Sequence, residues 1–176
     1  MKRTLLFIIP IALLFAAIGV YFGLKYTRST PAIDQAVLTL LSQTLPNVKG
    51  KPQLLSQWKG HPMLINFWAT WCGPCVQEMP ELSALQTELA PRRVQIIGIG
   101  IDSPSNIAEF SQKYEITYPL YVAGMGGTEL SRQFGNKTGS LPYTVLVNAN
   151  GQVQKTYLGR LKLDELRRDL DKIGSE

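Results

Sequence analysis

Two cysteines and one histidine are all that 176 residues contain. A scaffold stapled by several disulfides needs more thiols than that. A structural zinc site needs four ligands, and His61 is the only soft donor beyond the cysteine pair. Covalent haem needs a histidine directly after the second cysteine, and Val76 stands there. Acidic residues are missing before Asp34, whereas Lys2, Arg3, Lys25 and Arg28 all lie in that stretch. Of 18 basic residues, 14 therefore remain from Ser29 onward, against 13 acidic ones. Four of the five units of net charge therefore lie in the N-terminal stretch, and the rest of the chain is only +1. The rest lacks the basic face that nucleic-acid binding requires. Repeats and low-complexity tracts are absent too, and the length suits one domain plus an appendage.

Charge is also missing from Thr4 to Leu24, a run of 21 residues. About 20 apolar residues span a bilayer. Lys2 and Arg3 before the run predict a cytoplasmic N-terminus. A cleaved signal peptide is the rival reading, with a small-x-small site at Ala17-Ile18-Gly19. The apolar run continues past that site to Leu24, which favours an uncleaved signal-anchor. Either reading sends the rest of the chain across the membrane. The expected division is residues 1–28 as anchor, 29–41 as linker with a short helix or arm, and 42–176 as the folded domain.

What is present is regular patterning. Asp34 to Thr44 has helical spacing, and Leu45 to Leu55 reads as a short hairpin turning at Lys49-Gly50. Ser56 to Gly60 reads as a turn of helix that tucks in Trp58. Met63 to Trp68 and Val94 to Ile101 are nearly all apolar, as strands buried on both faces should be. Val76 to Ala90 is amphipathic, with Pro80 expected to kink it. Ser103 to Tyr114 reads as a helix, Tyr118 to Val122 as a short strand, Gly124 to Gly127 as a loop and Glu129 to Phe134 as a helix. Pro142 to Asn148 and Gln152 to Leu158 read as a hairpin with a type I′ turn at Asn150-Gly151. Lys162 to Ile173 reads as a closing helix. Crossover helices imply parallel strands and the hairpin adds antiparallel ones, so an α/β fold with a mixed sheet is predicted.

The two cysteines lie three apart, in Trp71-Cys72-Gly73-Pro74-Cys75. Chance would place two cysteines at that spacing about 1% of the time. The pair falls where a strand hands over to a helix. Free N–H groups and the helix dipole favour a thiolate there. Cys72 is the expected exposed nucleophile and Cys75 the resolving thiol, so that the pair cycles between dithiol and disulfide. Pro74 rigidifies the turn at no cost in hydrogen bonds. A purely structural disulfide would close too small a loop to stabilise much. A copper carrier would use both thiols and His61. A Cys-His protease is weaker, since a second thiol in the same turn suits exchange better. Glu78 lies one turn beyond Cys75, where a partly buried carboxyl could take the proton that Cys75 must lose. The plain alternative is an exposed glutamate favoured by the dipole. Asn66 is expected to be buried and hydrogen-bonded, Trp68 to be core, and Trp71 to be a surface ring.

FWATWCGPC, Glu78-Met79-Pro80, and Leu141-Pro142 followed by VLVNANGQV resemble the thioredoxin superfamily. More narrowly, residues 42–174 resemble the membrane-anchored TlpA/ResA-like thiol–disulfide oxidoreductases of the bacterial envelope. The resemblance implies a thioredoxin fold with an N-terminal hairpin and a central insertion near 101–134. It implies that Glu78 is the active-site glutamate and that Pro142 is a cis-proline facing the disulfide. Leu141 would offer backbone groups to an extended substrate. Trp71, Gly73, Pro74, Leu141 and Pro142 are the expected substrate contacts. No cofactor and no metal are expected, and the domain is expected to be monomeric. Partners would be protein disulfides, such as those of apocytochrome c or copper-site proteins, and a membrane thiol transporter as electron donor. The site would face the periplasm from the inner membrane. Cytoplasmic thioredoxin has a buried Asp where Asn66 stands, and an amide cannot take a proton. Gly73-Pro74 is the thioredoxin dipeptide and favours a reductant over an oxidase. Peroxiredoxins place Thr three and Pro seven residues before the reactive cysteine, where this chain has Ala69 and Ile65.

Overall fold

The computed structural model describes residues 34–173. The expected anchor at Thr4–Leu24 lies outside them. Among the described residues no helix is long and apolar enough to cross a membrane.

Five strands form one mixed sheet. They are β3 (Met63–Trp68), β4 (Gln95–Gly100), β5 (Leu120–Val122), β6 (Tyr143–Val147) and β7 (Val153–Leu158), in spatial order β5-β4-β3-β6-β7. β3, β4 and β5 run parallel, and β6 lies antiparallel to both β3 and β7. A separate hairpin of β1 (Thr44–Pro46) and β2 (Pro52–Leu54) precedes them. It turns through Gly50 in the left-handed region, with Asn47 Oδ1 accepting the N–H groups of Lys49 and Lys51. A 3-10 turn, Leu55–Trp58, then leads into β3.

Every residue of β3 is buried, because both sheet faces are covered. Leu64 and Trp68 meet one core with the inner faces of α2 (Gly73–Leu89), α3 (Pro104–Lys113) and α5 (Leu163–Ile173). Met63, Ile65 and Phe67 meet the other, with α1 (Gln35–Leu41) and α4 (Gly126–Gln133). Val37, Leu40 and Leu41 of α1 are buried in that second core, so this helix packs as part of the domain. The crossovers from β3 through α2 to β4, and from β4 through α3 to β5, bring the ends of these strands to one edge. The start of β6 reaches the same edge, since Tyr143 pairs with Phe67.

Two local expectations are corrected. Asn150 does not take the left-handed conformation that a type I′ turn demands; in the 148–152 loop only Gly151 does. Asn148 Oδ1 caps that loop by accepting the N–H groups of Asn150 and Gln152, and a bulge at Leu146/Val147 absorbs the extra residue. Secondly, α4 begins at Gly126 rather than Glu129. A Cβ at Gly127 would sit 2.7 Å from Ile101 Cγ1, so a glycine is needed where this helix crosses the sheet. Pro80 lies inside α2, as the sequence places it; its ring is exposed, and its missing N–H costs one intrahelical bond.

Gly98 of β4 is closely packed by Leu120, Trp68 and Tyr118. A Cβ there would meet Leu120 Cδ2 at 2.4 Å, whereas one at Gly73 would meet nothing within 4 Å. Gly98→Ala is expected to lower unfolding free energy by about 1–3 kcal/mol through overpacking. Gly73→Ala should change it by less than about 1 kcal/mol. Urea unfolding of the two variants checks the contrast.

Candidate active site

The cysteine motif lies in the turn between β3 and α2. Cys72 is the N-cap of α2, and its sulfur accepts the Cys75 N–H at 3.3 Å. Pro74 occupies the first helical turn, where an N–H would have no partner. The sulfurs are joined in a disulfide, with the Cα atoms 5.3 Å apart. Cys75 is fully buried, while Cys72 keeps 6% of its surface. Cys72 in the disulfide is thus more recessed than the exposed thiol expected from the sequence. Gly73 and Pro74 are exposed, and the Trp71 ring is 70% exposed beside them. Trp68 is wholly core.

Glu78 is fully enclosed one turn below Cys75. Oε1 accepts from Asn66 Nδ2 at 2.9 Å, and Oε2 accepts from the Leu161 N–H at 2.9 Å. Asn66 sits at the middle of β3, and its Nδ2 also donates to Thr144 Oγ1 at 3.0 Å. Burial raises the Glu78 pKa from 4.5 to about 7, against the two hydrogen bonds and the nearby charge of Arg160, which favour the anion. Arg160 is itself paired with Glu81 at 2.6 Å on the surface.

Leu141-Pro142 is a cis peptide at the start of β6. Antiparallel pairing with β3 sets it at the motif's end of the sheet. Pro142 O accepts the Gly159 N–H at 2.9 Å, and Leu141 packs half-buried against both cores. On the other flank, Thr70 Oγ1 donates to Asp102, tying the loop after β3 to the loop after β4. Burial opposes ionisation of Asp102, but the hydrogen bonds from Thr70, the Ser103 N–H and Asn106 outweigh it and hold the carboxyl below its usual range. A cavity of about 360 Å³ opens there, between Thr70, Val76 and the Asn106, Glu109 and Lys113 side of α3.

The structure therefore brings Cys72, Cys75, Glu78, Trp71, Gly73, Pro74, Leu141 and Pro142 to one end of the sheet. It does not bring His61 there. His61 precedes β3 and Cys72 follows it, so the six residues of that strand, about 20 Å, separate them. A copper or protease site using both thiols and His61 is ruled out by that geometry. Thr144, the Leu161 N–H and Asp102 were not foreseen from the sequence. They reach the site from 78, 83 and 32 residues away along the chain from the groups they bond, with no local signal.

Residues 39–156 match the AhpC/TSA family. The chain belongs to it. The thiol-disulfide oxidoreductase ResA of Geobacillus thermodenitrificans is 26% identical over 175 residues, covering 98% of this chain and 97% of that protein. The thioredoxin-like protein YneN of Bacillus subtilis is 29% identical, over 73% of this chain and 74% of its own. A solved thiol:disulfide interchange protein of Chlorobium tepidum superposes with a TM-score of 0.64 at 28% identity, covering 76% of this chain and 93% of that one. This AhpC/TSA member is a thiol–disulfide oxidoreductase with a thioredoxin-like mixed sheet.

The raised Glu78 pKa has a consequence for stability. The folded protein binds a proton there that the unfolded chain releases between about pH 4.5 and 7. That contribution is complete below the unfolded value and is lost as pH rises through the folded one. Oxidised wild-type protein should lose about 3 kcal/mol between pH 4 and pH 8 relative to Glu78→Gln. Urea unfolding at the two pH values checks this; parallel pH dependence in both proteins contradicts it.

Proposed function

We propose that this oxidoreductase works as a reductant of protein disulfides on the extracytoplasmic side of a bacterial membrane, tethered by residues 1–28. The observation that carries the reading is a buried carboxyl one turn beneath a Cys-Gly-Pro-Cys pair, with a pKa near neutrality. A reductant must deprotonate its buried thiol in every cycle, and such a group suits that task.

In the proposed cycle Cys72 thiolate attacks one sulfur of a substrate disulfide. A Cys72–substrate mixed disulfide forms, and the other substrate sulfur leaves as a thiolate that takes a proton from solvent. Cys75 then passes its proton to the Glu78 carboxylate. The Cys75 thiolate attacks Cys72 Sγ, the internal disulfide forms, and the second substrate sulfur leaves. The substrate gains two electrons and the protein loses two. A membrane thiol transporter returns them.

Substrate would lie across Trp71, Gly73 and Pro74, with the Leu141-Pro142 segment pairing to an extended chain. The cavity beside Thr70 leaves room for a polypeptide to continue past the target cysteine. Apocytochrome c disulfides and oxidised copper-site cysteine pairs are the proposed substrate classes, supported by the resemblance to ResA-like proteins. The boundary at residue 28 is part of the same reading, whereas α1 packs with the folded domain rather than with the linker.

Two measurements test direction and order of attack. The Cys72/Cys75 couple should equilibrate with glutathione below about −250 mV, and a value near −120 mV would make the protein an oxidant instead. Cys75→Ser should accumulate mixed disulfides in cells, whereas Cys72→Ser should accumulate none; trapping through Cys75 alone would reverse the assignment.

A further inference from the structure

Glu78 is not the only polar group enclosed beneath the motif. Asn66 Oδ1, Trp68 Nε1 and Tyr118 Oη are all buried with no hydrogen-bond partner among the described residues. Such atoms are rare, and each costs about 1–3 kcal/mol if left bare. These three are not scattered. Asn66 and Trp68 lie on the α2 side of β3, and Tyr118 joins the same core two residues before β5. Asn66 pairs with Gly98 in the β3–β4 ladder. A Cβ at Gly98 would sit 3.1 Å from Trp68 Nε1 and 3.3 Å from Tyr118 Cε2. The indole N–H and the phenol ring therefore flank one glycine, opposite Asn66. Tyr118 also lies close enough to Glu78 for their charges to interact, and burial together with that charge keeps its hydroxyl protonated.

The orphan groups complement one another. The indole N–H only donates, the amide oxygen only accepts, and the hydroxyl can do either. Two donors and one acceptor match a single internal water, which typically makes about three hydrogen bonds. We propose that Trp68 Nε1, Tyr118 Oη and Asn66 Oδ1 hold one internal water, and that through it Tyr118 is a positioning residue for the Glu78 carboxylate. The inference rests on the reading of Glu78 as the proton acceptor. Water donating to Asn66 Oδ1 polarises the amide whose N–H binds Glu78, so the anion is solvated through the amide. Loss of the Tyr118 hydroxyl removes an anchor of that water and deepens the desolvation that favours the neutral acid. The other charged groups acting on Glu78 are Arg160 and Glu81, Cys75 being held in the disulfide, and none of them changes in this substitution.

The test is Tyr118→Phe in the full chain. Tyr121→Phe is the control, because the Tyr121 hydroxyl accepts from Trp58 and Gln57 on the opposite face of the sheet. Infrared difference spectra across a pH titration report the protonated carboxyl band, assigned to Glu78 by its loss in Glu78→Gln. The midpoint should rise by about half a pH unit or more in Tyr118→Phe and stay in place in Tyr121→Phe. An unmoved midpoint in Tyr118→Phe, or an equal shift in both variants, overturns the proposal. The band reads protonation, not turnover. If Glu78→Gln kept full disulfide-reducing rates while the Tyr118→Phe shift appeared, the proton-acceptor reading would fail and the water site would stand. Should Tyr118→Phe fail to fold, a high-resolution crystal structure of the unaltered protein decides. Water density within hydrogen-bond distance of the three atoms is expected, and three dry atoms would overturn the proposal.

Discussion

Enclosing Glu78 beneath the disulfide is the constraint on which the rest of the site depends. An isolated carboxylate in a protein interior is costly, and it either finds donors or takes up a proton. Here both happen in part. Asn66 and the Leu161 N–H each supply one hydrogen bond, and burial still lifts the pKa to about 7. The balance leaves a group that can gain or lose a proton near neutrality. More donors would lock it as an anion, and fewer would lock it as an acid.

The fold supplies each side of that balance from a different place. β3 contributes Asn66, at a position where the strand's alternation points it toward α2. β6 contributes Thr144, which holds the Asn66 amide in place. The loop before α5 contributes the Leu161 N–H, and Arg160 beside it adds positive charge near the carboxyl. α2 carries Cys75 and Glu78 one turn apart, so the thiol and the carboxyl share one rigid element. The helix starts at Cys72, and the Cys75 N–H already points at the Cys72 sulfur. The buried carboxyl and the two sulfurs are thereby positioned by the same few turns of helix.

Much of this was legible in the sequence because the signals were local. The apolar blocks at 63–68 and 94–101 and the helical spacing after Val76 located the sheet and α2. Three-residue spacings identified the cysteine pair and pointed to Glu78. What was not legible depends on contacts distant in sequence. Nothing near Glu78 predicts that residue 161 will close over it, and spacing alone left an exposed glutamate equally open. The 148–152 loop misled for a different reason. Asn150-Gly151 is a strong local turn signal, but the Asn148 side chain offered a competing cap and a bulge took up the register. Three glycines in 124–127 suggest a loop, whereas the missing Cβ of Gly127 lets α4 cross Ile101.

The central claim is that Glu78 takes the proton of Cys75 in the step that frees the substrate. Single-turnover quench of a preformed mixed disulfide between Cys72 and a peptide thiol isolates that step. With Glu78 as the acceptor, peptide release should accelerate with pH through a midpoint near 7, and Glu78→Gln should slow it at pH 7 by at least about tenfold. Release at the wild-type rate and with the wild-type pH profile in Glu78→Gln would contradict it.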